Sequence, residues 1–407
     1  MPHRARNWQD AGMRYLLTGG SVFDAASGEV SRADVVLDGD RITAVGTDLD
    51  GDEAVDCGGG LLLPGFIDCH THVGMSQTLG GDPYGLPRSA RVLSAVPVLR
   101  TLLGLGITTV RDAWGADAGL RHAVEQGWID GPQVLISLRQ TGTTGSIGDH
   151  WGAGIGPVDF FGDPSMPDPV FDGPDQARAV VRRMVRAGAD WIKLAATGSV
   201  AAGPGVHDVQ LTAEEMVAVV DEAARQGGRK VMVHAHGARA AELAARAGAA
   251  SVEHGVYLDE AAVAAMAESG TWFVPTLSCT QEADAPAERA EAHRESMRLA
   301  LAAGVPIAMG TDNPVTPHTG ALREIHHLAE AGLGEAGALR ASTLDAARLL
   351  GLAADRGEIT ERKRADLVLL DGTGLDTGDL ANRIRAVWHN GVPFSVVQRA
   401  SGSARQA

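Results

Sequence analysis

Cysteine is scarce. Cys57, Cys69 and Cys279 are the only three in 407 residues, so one stays unpaired under any disulfide scheme. None is spaced as Cys-x-x-Cys, which excludes a zinc knuckle and a disulfide-stapled secreted domain. Basic charge is in deficit, with 35 Lys and Arg against 51 Asp and Glu and a formal net charge of −16. A surface of that sign repels nucleic acid and anionic membranes, so neither is expected as a partner. No apolar run approaches a membrane span, and the stretch from Met1 to Met13 lacks the apolar core of a signal peptide. Export is not expected, and a reducing cytoplasm is the expected location. No Gly-x-Gly-x-x-Gly follows the first strand and no Gly-x-Ser-x-Gly occurs, which argues against a dinucleotide site and a serine nucleophile elbow.

What is present is an ordinary globular composition, 44% hydrophobic and 21% charged, in a chain long enough for one large domain plus a small one. From Tyr15 to about Val55 short apolar segments alternate with turns at Gly19-Gly20, Asp38-Gly39-Asp40 and Gly51. These predict short antiparallel strands. Asp366–Leu370 and Ile384–Val392 have the same character, so a small β-sandwich built from both ends of the chain is expected.

Between these ends, strands alternate with amphipathic helices. Strand candidates are Leu61–His72, Ile107–Asp112, Gln133–Ser137, Trp191–Ala195, Lys230–His234, Ser251–His254, Trp272–Pro275 and Ile307–Asp312. Helices are predicted over Thr212–Gln226, Ala238–Ala247, Asp259–Glu268 and Ala287–Ala303, each followed by a stopping glycine. Thr212 with Glu215 fits a capping box. About eight such units over ~250 residues predict an α/β fold, a (β/α)8 TIM barrel. The expected division is 1–60 and 353–407 for the sandwich and 61–352 for the barrel. Arg139–Pro174, rich in Gly, Pro, Asp and Thr, follows the third strand and is expected to be a lid.

Barrel chemistry sits at the C-terminal ends of the strands. Those ends carry His70 and His72, Lys193, His234 and His236, His254 and Asp312. His-x-His on a strand turns both imidazoles to one face, the geometry of a bidentate metal grip. Singly, each residue has a plainer explanation: His254 as a satisfied core histidine, Asp312 as a turn or helix cap. Jointly they predict a metal site. Lys193 is the odd member, since an ammonium repels cations. Buried near metals its pKa falls, and the free amine can take up carbon dioxide to give a bridging carbamate.

At this point the sequence resembles the amidohydrolase superfamily of metal-dependent hydrolases, over nearly the whole chain. Within it the pointers Trp191-Ile192-Lys193, Val233-His234-Ala235-His236-Gly237, Glu253-His254-Gly255 and Gly310-Thr311-Asp312 are similar to the imidazolonepropionase-like group with its Xaa-Pro and Xaa-Arg dipeptidases. The resemblance implies two divalent ions, expected to be zinc. His70 and His72 would bind the more buried ion, His234 and His254 the more exposed one. N6-carboxylysine at Lys193 would bridge them, and Asp312 would bind the buried ion and act as general base. His236 would face the substrate. His150 lies where relatives place a substrate-contacting histidine, although Gly142–Ile147 departs from their usual Thr-Gly-Gly-His. His318, Tyr257 and Arg111 are further candidates that could equally be surface or packing residues.

The expected activity is hydrolysis of an amide or peptide C–N bond in a small molecule, of dipeptide or N-acyl amino acid type. Two cations would make a bound water acidic, with Asp312 taking its proton and passing it to the leaving nitrogen. Alternatives on the same barrel are a cyclic-amide hydrolase, a mononuclear deaminase, or a metal-free binding protein. A homo-oligomer is expected only by analogy.

Overall fold

The computed structural model describes residues 13–75, 87–159, 163, 165–200, 205–282 and 285–394. The expected lid residues 160–162 and 164, and the outermost parts of both terminal segments, lie outside the described residues.

The apolar run that opens the barrel in the sequence divides at Gly65. Leu61–Pro64 is one strand and Phe66–Thr71 the next. The first pairs with Leu367–Leu370 antiparallel and with Ser21–Phe23 parallel. It sits inside a six-stranded sheet that also contains Val30–Arg32, Ile384–His389 and Val392–Phe394. A four-stranded sheet is built from Arg41–Gly46, Asp34–Asp38, Arg14–Thr18 and Glu53–Asp56. The terminal strands are therefore not all antiparallel: Arg14–Thr18 runs parallel to Glu53–Asp56. Leu17, Val35, Leu37 and Ile42 of the smaller sheet share one apolar cluster with Leu62, Leu367 and Trp388 of the larger. Strand alternation puts Leu61 and Leu63 on the other face, in the core of the helix-bearing region.

That region is of TIM-barrel type, with parallel strands alternating with helices. Its ladder is not one unbroken ring of eight. Phe66–Thr71, Ile107–Asp112 and Gln133–Ile136 form a parallel three-stranded sheet. Gln140–Thr141, Trp191–Ala195, Lys230–Gly237, Ser251–Tyr257 and Trp272–Val274 form a parallel five-stranded one. The break after Ile136 coincides with Leu138, whose φ of 66° takes the chain out of extended geometry. Across it the Asp190 amide donates to the Ile136 carbonyl (2.8 Å). The other seam is the Ile307–Asp312 segment, expected as a strand. It makes isolated bridges, Phe273 with Ile307 and Thr71 with Asn313. Cys69 donates its amide to the Met309 carbonyl (2.9 Å), and the amides of Thr311 and Asp312 both donate to the His70 carbonyl. Asp312 has φ 55°, which ends extended backbone there.

The helices follow the expected boundaries. Ala213–Arg225 begins with the capping box: Glu215 donates its amide to Thr212 Oγ1 (3.2 Å) while its carboxylate accepts from the Thr212 amide (2.8 Å). Glu260–Ser269 is capped by Asp259 and stops at Gly270 in the left-handed region. The segment after Gln133–Ile136 is not structureless, since Gln140–Thr141 joins the sheet and Trp151–Gly152 pairs with Gly156–Pro157 as a small hairpin. Among the described residues no helix is long and apolar enough to cross a membrane.

Candidate metal centre

Alternation along Phe66–Thr71 sets Ile67 and Cys69 on one side and Asp68 and His70 on the other, with His70 in the interior beside Glu253 and Lys193. Ile67 and Cys69 pack with Ala346, whose carbonyl lies 3.9 Å from Cys69 Sγ. His72 follows the strand and reaches the same interior. Gly310 lets the Ile307–Asp312 segment lie against this strand, because a Cβ there would stand 2.8 Å from His70 Cβ. Asp68 ties the two together, accepting from the amides of His70 (3.0 Å) and Thr311 (3.1 Å) and from the Thr311 hydroxyl (2.7 Å). Burial lifts its carboxyl to about 6 against those bonds.

Hydrogen bonding fixes which ring atoms of His70 and His72 are free. His70 Nδ1 lies 2.6 Å from Glu253 Oε2, and His72 Nδ1 lies 3.0 Å from the Trp114 carbonyl. A carboxylate and a carbonyl can only accept, so both Nδ1 atoms carry the proton. The Nε2 lone pairs then face Asp312 Oδ1, at 3.2 Å from His70 and 2.9 Å from His72. Three electron-pair donors meeting with no proton assigned between them fit a cation. The possible ligand atoms of His70, His72 and Asp312 all lie within 4.8 Å of one another. Burial lowers the His72 imidazolium, but Asp312 outweighs it and the net shift is upward. Asp312 is pushed up by burial and then pulled well below the usual carboxylate range by His254, His70 and His72.

Lys193 reaches the same point from the Trp191–Ala195 strand. It is 1% exposed, and its Nζ lies 3.3 Å from His70 Nε2. Burial brings its ammonium down to about 8. His234, His236 and His254 complete the cluster. The ring of His254 stands 4.8 Å from His70 and 4.5 Å from His234, and its Nδ1 is 3.8 Å from Asp312 Oδ2 and 2.8 Å from Thr276 Oγ1. Plain alternation would turn His254 away from the interior that Glu253 faces. Its φ of 72°, uncommon for a residue with a Cβ, is the local departure that brings both inside. Burial keeps His234, at about 3, and His236 and His254, both well below 6.5, as neutral imidazoles, the form that ligates metals. His234 Nε2 is occupied by the Gly198 carbonyl (3.1 Å), which leaves Nδ1 for a ligand.

His236 takes a different part. The Val200 amide donates to its Nε2 (3.3 Å), so Nδ1 bears the proton, and among the described residues that buried Nδ1 has no partner. The ring borders a cleft with ≈ 270 Å³ of empty space, lined also by His254, Thr276, Cys279, Val256 and Asp312. His150 stacks on Trp114 at 5.5 Å between centroids, and Trp114 is edge-on to His72. His318 is buried near His72; burial, then His72, hold it down to about 4. Tyr257 meets His207 at 4.7 Å, outside the histidine cluster.

Two residues that sequence reasoning left without a role lie under the centre. Arg111 is fully buried, donating to Glu253 (3.0 and 3.1 Å), to Ser251 Oγ (3.2 Å) and to the Cys69 carbonyl (2.5 Å), with its guanidinium over Trp191. Glu253 also accepts from Ser251. Burial pushes its carboxyl up, but Arg111, His70 and Lys193 bring it down to about 2. The available signal was a guanidinium inside the apolar strand Ile107–Asp112, which demands a buried acid somewhere.

Comparison with known proteins places this geometry in context. Residues 61–399 match the model of the Amidohydrolase family. The chain is 30% identical to the ochratoxinase of Aspergillus niger over 364 residues, 81% of this chain and 74% of that protein. It is 30% identical over 388 residues to the imidazolonepropionase of Paracoccus denitrificans, 84% of this chain and 89% of that protein. A solved Xaa-Pro dipeptidase with methionine bound in its active site superposes with a TM-score of 0.84 at 29% identity, covering 94% of this chain and 99% of that one.

Proposed function

The chain belongs to the amidohydrolase family and is a hydrolase of C–N bonds, and from that premise we propose that it cleaves an amide or peptide bond in a dipeptide or N-acyl amino acid, using two divalent ions. What carries the reading is the meeting of the His70 and His72 lone pairs with Asp312 Oδ1 beside a buried Lys193. His70, His72 and Asp312 would hold one ion, and His234 and His254 the other. Lys193, with roughly one in ten amines free at neutral pH if its pKa is about 8, would take carbon dioxide on Nζ, lose a proton and bridge the pair as N6-carboxylysine. Zinc suits imidazole and carboxylate donors. On this reading the two parallel sheets are arcs of one (β/α)8 barrel and the terminal sheets a β-sandwich beside it.

When bound, the ions supply Lewis acidity, bringing the pKa of a water toward about 7 and polarising a carbonyl. The rest falls to the chain. Asp312, ionised and facing the cleft, accepts the proton of the attacking water and delivers it to the departing nitrogen. His236 offers its partnerless Nδ1–H to the substrate's carbonyl oxygen, where negative charge develops. Trp114 and His150 form a stacked wall beside His72, suited to flat or apolar substrate groups. The relatives named above act on ochratoxin, imidazolonepropionate and Xaa-Pro dipeptides as their names state; for this chain an open-chain amide with an apolar side group is the favoured class.

A one-ion hydrolase of cyclic amides is the second reading, favoured by the compactness of the His70, His72 and Asp312 group alone. Lys193 weighs against it, since one ion needs no bridge. Metal counting on the purified protein, with a screen of dipeptides, N-acyl amino acids and lactams, separates the two. About two zinc ions per chain and turnover of open-chain amides is the expected result. One ion with lactam turnover would favour the second reading, and no metal with no turnover would sink both.

A further inference from the structure

Glu253 sits between a cation it neutralises and an imidazole it touches. Arg111 alone would satisfy a counter-ion anywhere around its guanidinium. Instead Glu253 places Oε2 2.6 Å from His70 Nδ1 while both its oxygens remain on Arg111 Nη2. Ser251, two residues back on the same strand face, donates to Oε1 and closes the last direction in which the carboxylate could rotate. Arg111 is itself pinned by the Cys69 carbonyl and stacked over Trp191. The carboxylate is thus clamped from three sides and aimed at one ring atom.

We propose that Glu253, clamped by Arg111 and Ser251, is a positioning residue that locks His70 in its Nδ1–H tautomer and so presents the Nε2 lone pair to the ion held with His72 and Asp312. It touches neither substrate nor ion. A partner on the far nitrogen fixes ring angle and raises ligand basicity, and losing such a partner elsewhere costs about 10–100-fold in metal affinity. The effect is confined to one ion, because His234 and His254 make no contact with the Glu253 carboxylate among the described hydrogen bonds. The metal consequence rests on the reading given under Proposed function; the tautomer itself does not.

The hydrogen-bond inventory makes the substitution directional. In Glu253→Gln the amide must offer its oxygen to Arg111, which can only donate, and therefore turns its NH2 to His70 Nδ1. His70 then becomes the Nε2–H tautomer and loses its ligand lone pair. Two double variants remove both buried charges, so that neither is left unpaired. Arg111→Met with Glu253→Gln frees the amide oxygen to accept from Nδ1–H again. Arg111→Met with Glu253→Leu offers His70 no acceptor.

The test is long-range proton–nitrogen NMR of imidazoles in the metal-free full-length protein, with zinc affinity by chelator competition. Wild type and the Met/Gln double variant should show His70 protonated on Nδ1 and bind two zinc ions with similar affinity. Glu253→Gln and the Met/Leu variant should lose that tautomer and weaken one zinc ion about 10–100-fold, leaving the other. If Met/Leu folds and keeps the wild-type tautomer and both affinities, Glu253 is only the counter-ion of Arg111 and the proposal is overturned. If wild type binds no zinc, yet the tautomer follows Glu253 as described, positioning stands and the metal reading falls.

Discussion

Gly310→Ala probes the seam between the Ile307–Asp312 segment and the His70 strand. The added Cβ would lie 2.4 Å from Val274 Cγ1, 2.8 Å from His70 Cβ and 3.1 Å from the His70 nitrogen. Carbon pairs rest at about 3.5–4.0 Å. The Val274 methyl can rotate aside. His70 cannot follow, because its carbonyl accepts from Thr311 and Asp312 and its amide is held by Asp68. The segment or the strand must therefore move by roughly 1 Å, an overpacking that costs about 1–3 kcal/mol. A shift of that size at a reacting centre lowers turnover on the order of 10²-fold. Thermal midpoints of the metal-free proteins should fall by a few degrees, and zinc affinity should fall with them. An alanine variant with wild-type midpoint and zinc affinity would refute the claim that close approach at Gly310 sets the spacing of His70 and Asp312.

Three other outcomes are expected. Lys193→Ala should lose metal and activity together and regain part of both in acetate or propionate; metal counting and turnover at wild-type levels would exclude the bridge. Asp312→Asn should lower turnover by about 10²–10⁴-fold, more than it lowers zinc content, as steady-state rates on zinc-loaded protein will read. Asp355 is held down to about 2, burial being outweighed by Arg41, Arg364 and Arg356. Its folded pKa is depressed, so its contribution is whole above the ordinary value of ~3.9 and fades as pH falls toward the folded one. The stability gap between wild type and Asp355→Asn, from urea melts, should be constant above that range and narrow below it.

The sequence makes the approach of His70, His72, Lys193, His234, His254 and Asp312 legible because they lie at or near the C-terminal ends of predicted strands, and in a fold of alternating parallel strands and helices those ends gather on one side. Helix limits were legible for local reasons, as with Thr212 and Gly270. What it hides depends on single dihedral angles or on partners far along the chain. Alternation cannot bring both Glu253 and His254 inside, and only the left-handed turn at His254 does so. Arg111 reads as packing until Glu253, 142 residues later, supplies its acid. The Leu61–His72 run looks like one strand because Pro64-Gly65 interrupts it without changing its apolar character. Its division becomes visible only through the partners, Leu367–Leu370 on one side and Ile107–Asp112 on the other.

That division has an architectural consequence. Leu62 is mortar for the terminal sheets, while Leu61 and Leu63 on the same four-residue strand face the helical body. A chimaera that exchanges the terminal sheets for those of another protein cannot be cut cleanly at this joint, because either choice of junction carries away leucines that the other part needs. Modular swapping here must transplant both faces of Leu61–Pro64 at once, or the wall beneath His70 loses its backing.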